Sequence, residues 1–239
     1  MSDASGRLIK VGAAKQQAIL AVLALCRGRM VTIDRLIGEL WQDEPPTTAK
    51  ASLQTYVYRL RRTLAPLAAD GVDLITSGQS YALMVPDCAV DVRAFETAAE
   101  QGADALIHGQ ADLAVSLLRE ALGLWRGPLM PEIDVELVRI ERRRLEELQL
   151  TTRELCAEAE LRLGYHSRVI PDLERLVRRH PLRETSWAML MRALACRGRR
   201  AEALAAYRRM RGILDEELGV EPTDDVRRLH QDILRGTHA

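Results

Sequence analysis

With 239 residues, the chain is longer than a typical domain of roughly 100–200 residues, so two domains are expected. A hydrophobic fraction of 47% and a charged fraction of 28% are ordinary for a folded protein, and 34 basic residues balance 34 acidic ones. No apolar run approaches the roughly 18–20 residues that cross a bilayer, and the N-terminus lacks a signal-peptide pattern. We therefore expect a cytoplasmic protein with no membrane partner.

The residues that usually carry catalysis or bind metals are not grouped in this chain. The cysteines Cys26, Cys88, Cys156 and Cys196 lie far apart without metal-site or CxxC spacing, which predicts reduced core cysteines. The five histidines also lack ligand spacing and are expected at the surface or in caps. Gly12–Lys15 is not a phosphate-binding loop, because its spacing is wrong and no Ser or Thr follows the lysine. We expect no enzyme activity, no metal and no cofactor.

Although positive and negative charges balance over the whole chain, cations are in excess in one part of it. Residues 1–90 carry 10 basic and 8 acidic side chains, whereas the rest of the chain carries 24 and 26. Thr48–Leu64 contains four basic residues and no acidic one. Since DNA binding depends on where the cations lie more than on their total, overall neutrality does not exclude a nucleic-acid partner.

In chain order, the first ninety residues predict a short strand, three helices and a hairpin. Leu8–Val11 is a candidate strand, and the apolar run from Ala13 to Cys26 predicts a helix that is buried nearly all round. Thr32 is expected to cap a second helix, which ends at Trp41. Pro45-Pro46 then breaks the chain before the third helix.

The third helix has one apolar face and one face suited to DNA. At about 100° per residue, its apolar side chains fall in a narrow stripe: Leu53, Val57, Leu60 and Leu64. The other side has no carboxylate and mixes small, hydroxyl, aromatic and cationic residues: Ala51, Thr55, Tyr58, Arg59 and Arg62, flanked by Lys50, Ser52, Gln54 and Arg61. A solvated amphipathic helix is the alternative, but such a helix usually alternates Glu with Arg to gain ion pairs. The pattern therefore favours insertion into the major groove, where Arg can bond guanine.

A hairpin directly after this helix predicts the wing of a winged helix-turn-helix. Leu74–Thr76 and Tyr81–Val85 are the predicted strands, and Ser77-Gly78-Gln79-Ser80 between them is the predicted turn.

Several short stretches of this half point together to one family: Leu40-Trp41, Pro45-Pro46, Leu53–Arg62 and Ser77–Tyr81. In this order they resemble the DNA-binding domain of the Streptomyces antibiotic regulatory protein (SARP) family, which is an OmpR-type winged helix-turn-helix. The resemblance implies that three arginines lie in the major groove: Arg59, Arg61 and Arg62. It also implies other groove-facing positions, at Thr55 and Tyr58, and a position near the start of the helix, at Ser52.

The chain departs from the family pattern at three places. Relatives carry an Arg in the wing that enters the minor groove; this chain has Ser77 there, and Ser80 replaces a second glycine. The wing is therefore expected to make weaker contacts, or to contact phosphates only. Ala51 stands where many relatives have Asn, and the sheet before Gly12–Gln16 is expected to be short.

From about Asp91 the chain is expected to be helical throughout, with an internal repeat. Breaks are expected at six places: Gly109, Gly127-Pro128, Gly164, Pro181, Gly198 and Gly219. The pattern after Gly164 recurs 34 residues later after Gly198, and a third copy, after Gly109, stands 55 residues before the Gly164 copy. A 34-residue period with glycine between two helices predicts a tetratricopeptide-like array, in which Ala114 and Ala203 allow close packing.

This half also resembles the bacterial transcriptional activator domain (BTAD) that follows the winged helix in the SARP family. The matching stretches are Leu124–Leu129, His180–Glu184, Gly198–Tyr207 and Glu216–Pro222. We therefore expect a mainly α protein, with a winged helix over residues 1–88 and an all-α activator domain over residues 91–239. Arg142-Arg143-Arg144 is expected to form ion pairs with neighbouring glutamates on an exposed helix rather than a second DNA contact.

The resemblance implies a sequence-specific transcriptional activator that binds direct repeats of double-stranded DNA near a promoter, often at an antibiotic or other secondary-metabolite gene cluster. The implied partners are RNA polymerase holoenzyme, through its sigma subunit, and a second copy of the chain on DNA, so the protein is expected to be associated with the nucleoid. The alternative is a protein-interaction adaptor whose winged helix has lost specific DNA binding. The expected DNA-binding residues are Lys50, Ser52, Gln54, Thr55, Tyr58, Arg59, Arg61, Arg62 and Ser77.

Overall fold

The computed structural model describes residues 11–42, 44–86 and 90–236. These residues form two compact units that alternate along the sequence. The first unit contains the described residues up to Ala94 together with Leu124–Gln149. The second unit contains Phe95–Gly123 and the described residues from Leu150 onward. The domain limits at residues 88 and 91 stay a prediction.

The first unit contains the winged helix-turn-helix that the sequence predicts. Its elements are α1 (Ala14–Leu25), β1 (Val31–Thr32), α2 (Ile33–Trp41), α3 (Ala49–Leu64), a 3-10 helix (Ala65–Asp70), β2 (Asp73–Ser77) and β3 (Ser80–Met84). The strands form an antiparallel sheet in the order β1-β3-β2, so that β2 is an edge strand. Strands β2 and β3 are the wing, and α3 is the helix that precedes it.

The strands of this sheet differ in part from the sequence prediction. A strand is expected at Leu8–Val11, but residues 8–10 lie outside the described residues, and Val11 has no strand conformation. Strand β1 is not predicted, because two residues are too few to show the alternation of a strand. The Thr32 hydroxyl accepts a hydrogen bond from the Arg35 backbone N–H at 3.2 Å, which confirms the predicted cap of α2.

A continuous apolar core joins the three helices of the first unit to its sheet. The predicted apolar stripe of α3 is buried: Leu53, Val57, Leu60 and Leu64. Ile19 of α1 and Leu36 of α2 are completely buried beside it. The same core contains Val135 and Val138, which come from Leu124–Gln149. Because burying one such side chain contributes about 1.5–3 kcal/mol, this later segment is part of what stabilises the winged helix.

The rest of the described chain is helical, as predicted. The helices are α4 (Asp91–Ile107), α5 (Ala111–Leu124), α6 (Glu136–Arg162), α7 (His166–Arg179), α8 (Glu184–Cys196), α9 (Arg200–Leu218) and α10 (Asp224–Arg235). All six predicted breaks fall between these helices. The limit between the two units falls inside α6, between Gln149 and Leu150.

The internal repeat corresponds to a series of helical hairpins. Each copy begins with a glycine at a φ of 74° to 79° between two helices: Gly109, Gly164 and Gly198. This left-handed conformation favours glycine, which has no Cβ to clash with the next carbonyl. Five residues later each copy has a side chain that is at most 1% exposed: Ala114, Val169 and Ala203. The second half is therefore a tetratricopeptide-like array.

Candidate nucleic-acid interface

The side of α3 that faces away from the core presents four polar residues. Residues three and four apart share one side of a helix, which groups Thr55, Tyr58, Arg59 and Arg62. We call these four residues the α3 polar face. Tyr58 is 61% exposed. Within the described residues, the guanidinium groups of Arg59 and Arg62 make no hydrogen bond or ion pair, so both are available to a ligand.

The remaining polar residues of α3 are less free than the two arginines. The Thr55 hydroxyl donates to the Ala51 carbonyl at 3.0 Å, which holds this side chain against the helix. Gln54 is exposed, and Ser52 is half-buried. Because α3 contains no acidic residue, its two free arginines are not neutralised from within the helix.

Arg61 and Lys50 turn toward the wing rather than toward the α3 polar face. Arg61 Nε donates to the Leu74 carbonyl at 2.9 Å, and Arg61 Nη2 donates to the Thr76 hydroxyl. Lys50 Nζ donates to Gln79 Oε1 at 3.3 Å. The sequence places both cations on the flank of the helix, but its periodicity does not show that the hairpin lies along that flank.

The tip of the wing is a two-residue turn. Ser77 and Ser80 pair across the ends of β2 and β3, and Gly78 and Gln79 connect them. Gly78 has a φ of 56°, which favours glycine at the first position of such a turn. Ser77 is exposed beside the tip, where the sequence predicts that the wing contacts DNA.

Lys15 has a structural role that the sequence pattern does not reveal. Its ammonium group donates to the Leu40 carbonyl and lies 5.1 Å from the centre of the Trp41 ring. Both contacts are at the C-terminal end of α2, where backbone carbonyls lack helical partners and a cation is favoured. Lys15 thus fixes α1 to the end of α2, the helix that precedes α3.

The arginine triplet in α6 is only partly as expected. Arg144 pairs with Glu141 at 2.6 Å, which confirms an ion pair within the helix. Arg142 is instead part-buried and donates to three backbone carbonyls: Leu129 at 2.7 Å, Met130 at 2.7 Å and Ile133 at 3.1 Å. For Arg142 the expectation of an exposed ion pair was therefore wrong, because the preceding loop folds back within its reach.

The cysteines and histidines are also only partly as expected. Burial raises the pKa of the Cys26 and Cys156 thiols, as expected for core cysteines. Cys196 is exposed, so the core expectation was wrong there, and Cys88 lies outside the described residues. His230 is half-buried and stacks on Tyr207, with ring centroids 3.8 Å apart, rather than lying free at the surface.

In the described part of the chain, no three His, Cys, Asp or Glu side chains form a group that could hold a metal ion. Among the described helices, none combines the length and apolar character needed to cross a membrane.

The chain matches two family models in consecutive regions. Residues 11–83 match the model described as transcriptional regulatory protein, C terminal. Residues 90–234 match the bacterial transcriptional activator domain.

Two relatives are similar to this chain over almost its whole length. The chain is 38% identical to the regulatory protein DnrI of Streptomyces peucetius, over 93% of this chain and 85% of that protein. It is 37% identical to the transcriptional regulatory protein MoaR1 of Mycobacterium tuberculosis, over 96% of this chain and 75% of that protein. The chain therefore belongs to the SARP family of transcriptional regulators.

A solved structure agrees with this fold over almost the whole chain. The structure of Mycobacterium tuberculosis EmbR, in complex with a low-affinity phosphopeptide, has a TM-score of 0.90 and 36% sequence identity to this chain. The match covers 96% of this chain and 61% of EmbR.

Proposed function

We propose that this chain is a sequence-specific DNA-binding activator of transcription. The observation that carries the proposal is the α3 polar face, where Arg59 and Arg62 have no partner among the described residues and Tyr58 is exposed. The opposite side of α3 is buried, so the helix has one orientation in which to meet a ligand. In the major groove, an arginine that donates two hydrogen bonds to guanine contributes about 1–3 kcal/mol of discrimination.

The proposed interface extends from the α3 polar face along the helix to the wing. It comprises Lys50, Ser52, Gln54, Thr55, Tyr58, Arg59, Arg62 and Ser77. In it, the two free arginines and Tyr58 read base edges, and the smaller polar residues contact phosphates. Arg61, which the sequence also predicts to bind DNA, adjoins this surface but bonds to the wing.

The finer features of the proposal rest on membership of the family. The target is a pair of direct repeats near a promoter, bound by two copies of the chain, and the activator half recruits RNA polymerase holoenzyme through its sigma subunit. The controlled genes form a secondary-metabolite cluster, which the name of the Streptomyces family supports. The protein acts in the cytoplasm, on the nucleoid.

The first experiment measures the binding of the full chain to the DNA upstream of its own gene and to a random duplex across a range of salt concentrations. A specific regulator prefers one fragment by at least about 10³-fold. Its affinity falls with salt, with a slope of about 0.9 for each phosphate that it neutralises. Arg59→Glu with Arg62→Glu should abolish the preference and flatten the slope.

The matched control reverses two arginines on another helix. Arg178 and Arg179 of α7 are exposed and, like the α3 pair, have no partner among the described residues. Arg178→Glu with Arg179→Glu changes the total charge equally, and it should leave the preference intact. Equal, weak binding of the unmodified protein to both fragments would favour the adaptor alternative, in which the helical array is the working part.

A further inference from the structure

Arg61 differs from its neighbours in α3 because its guanidinium is already engaged. One nitrogen, Nε, donates to the Leu74 carbonyl at 2.9 Å, and a second, Nη2, donates to the Thr76 hydroxyl. Both acceptors belong to β2, an edge strand of the sheet. The planar guanidinium therefore joins α3 to the wing at two points of a single strand.

These two bonds are hard to replace. A guanidinium stays protonated in proteins, and hydrogen bonds from a charged donor are about twice as strong as neutral ones. If Arg61 rotated toward DNA, the carbonyl of Leu74 would lose this donor, and Leu74 is only 3% exposed. Turning Arg59 or Arg62 toward DNA would break no hydrogen bond, because neither side chain has a partner within the described residues.

A second, weaker contact repeats the arrangement at the other end of the wing. Lys50, near the start of α3, donates to Gln79 in the turn at 3.3 Å. Arg61, near the end of α3, bonds to the strand that leads into the turn. The hairpin is thus attached to α3 at both its tip and its strand.

The wing of this chain needs a fixed position on α3 more than a wing that carries a long cationic side chain would. Ser77, Ser80 and Gln79 are the polar side chains beside and within its turn, and none of them is charged. A serine has a short reach, so its contact with a phosphate requires the backbone to be held at the right distance. An arginine in the same place would reach the DNA from a range of backbone positions.

We propose that Arg61 holds the wing at a fixed position on α3, and that this positioning, not a contact with DNA, is its contribution to binding. The inference rests on the proposed DNA-binding function. It makes Arg61 a positioning residue, whereas Arg59 and Arg62 touch the ligand.

The first test measures amide hydrogen exchange of residues 73–84 in the full chain without DNA. Arg61→Met removes both bonds, and Arg61→Lys keeps the charge but not the planar donor pair. Both should speed exchange of the wing by about ten-fold or more, since hydrogen bonds to charged groups stabilise by 1.5 kcal/mol or more. Arg62→Met, the matched control, should leave wing exchange unchanged.

A double-variant comparison tests whether Thr76 is the partner of Arg61. Thr76→Val should lose part of the same protection against exchange, and adding Arg61→Met to Thr76→Val should accelerate exchange by a smaller factor than Arg61→Met does in the unmodified protein.

The second test separates positioning from DNA contact by salt titration with a random-sequence duplex. On a random sequence the bases that Arg62 reads are absent, so its guanidinium neutralises a phosphate instead, and Arg62→Met should reduce the slope of log affinity against log salt by about 0.9. Arg61→Met should weaken binding with little change in slope. A reduction of the slope as large as that of Arg62→Met, or unchanged wing exchange in both Arg61 variants, would overturn the proposal.

The two tests also distinguish failure of this inference from failure of the proposed function. If the unmodified protein bound no duplex at any salt concentration, DNA binding would be rejected, and with it the role of Arg61 in binding. The exchange measurement would still decide whether Arg61 holds the wing.

Discussion

At the scale of single residues, Gly102 has the least free space around it among the described helical glycines. A Cβ at this position of α4 would lie 2.6 Å from Leu118 Cγ and 2.7 Å from its Cδ2. Leu118 of α5 is completely buried. The absence of a side chain at Gly102 therefore sets the distance between α4 and α5.

We expect Gly102→Ala to destabilise the protein although alanine favours helix. Overpacking costs about 1–3 kcal/mol, which exceeds the gain of up to about 1 kcal/mol in helix propensity. Urea unfolding followed by circular dichroism measures the difference. Gly123→Ala in α5 is the control, since nothing lies within 4 Å of its Cβ position and the substitution should stabilise. Equal effects of the two substitutions would show that α4 and α5 do not pack this closely.

His230 makes stability depend on pH. Burial lowers its pKa below the usual value of 6.5, and its ring stacks on Tyr207. Below pH 6.5 the unfolded chain binds the proton more readily than the folded chain, so the free energy of unfolding decreases as the pH falls. The loss stops growing once the folded-state pKa has also been passed.

We therefore expect the melting temperature to fall more in the unmodified protein than in His230→Phe between about pH 7.5 and pH 5.5. Phenylalanine keeps a ring against Tyr207 but does not titrate. Differential scanning fluorimetry at several pH values gives the comparison. Parallel curves for the two proteins would contradict the assignment to His230.

At the scale of elements, the first turns of α6 are part of the winged-helix core. Val138 is completely buried there, and Val135, just before the helix begins, is 4% exposed. Glu39 of α2 accepts a hydrogen bond from the Leu137 backbone N–H at 3.1 Å. A carboxylate at the N-terminus of a helix satisfies a free donor and interacts favourably with the helix dipole.

Val138→Ala should accordingly destabilise the winged helix, although the residue lies in the region that matches the activator-domain model. Loss of two buried methyl groups costs roughly 2 kcal/mol. Hydrogen exchange of α1 and α3 should accelerate. Ile140→Ala, on an exposed position of the same helix, should change exchange little because that side chain is 51% exposed. If α1 and α3 responded alike to both variants, Val138 would not belong to their core.

The sequence predicts those elements whose pattern is local. The stripe of α3, the cap at Thr32 and the glycine breaks each follow from spacing within a few residues. Strand β1 is missed because two residues show no period. The insertion of Val138 into the first core is missed because nothing in its own helix indicates which residues it meets.

For the candidate site, too, the sequence predicts the features that depend on local spacing and misses those that depend on contacts between distant segments. Periodicity correctly separates the buried stripe of α3 from its exposed side. It does not distinguish Arg61 from Arg62, since both are exposed cations on the same helix. The difference arises from the hairpin, whose Leu74 and Thr76 lie more than ten residues further along the chain. Which of these side chains bind DNA stays a prediction.

At the scale of the whole molecule, the absence of net charge has a consequence for solubility. The 34 basic and 34 acidic residues cancel at pH 7. Many of these charges are paired within α6 to α10, as in Arg199 with Glu202 and Arg211 with Glu221. A protein without net charge lacks the mutual repulsion that keeps molecules apart.

We expect the free protein to associate most strongly near pH 7 and less at about pH 8.5, where it becomes negative. Static light scattering at constant salt measures the change. Arg178→Glu with Arg179→Glu, which adds negative charge, should shift the maximum of association to lower pH. Scattering that does not vary with pH would show that apolar contacts, not charge balance, control association.

The position of Val135 and Val138 also decides where a chimera between this chain and a relative can be joined. A chimera that exchanged everything after residue 90 would place a foreign segment in the core of the winged helix. Such an exchange preserves folding only when the incoming segment supplies apolar side chains of similar volume. The winged-helix core thus extends well past residue 83, where its family model ends, and an exchange that leaves this core intact joins the two chains beyond Gln149, inside a helix.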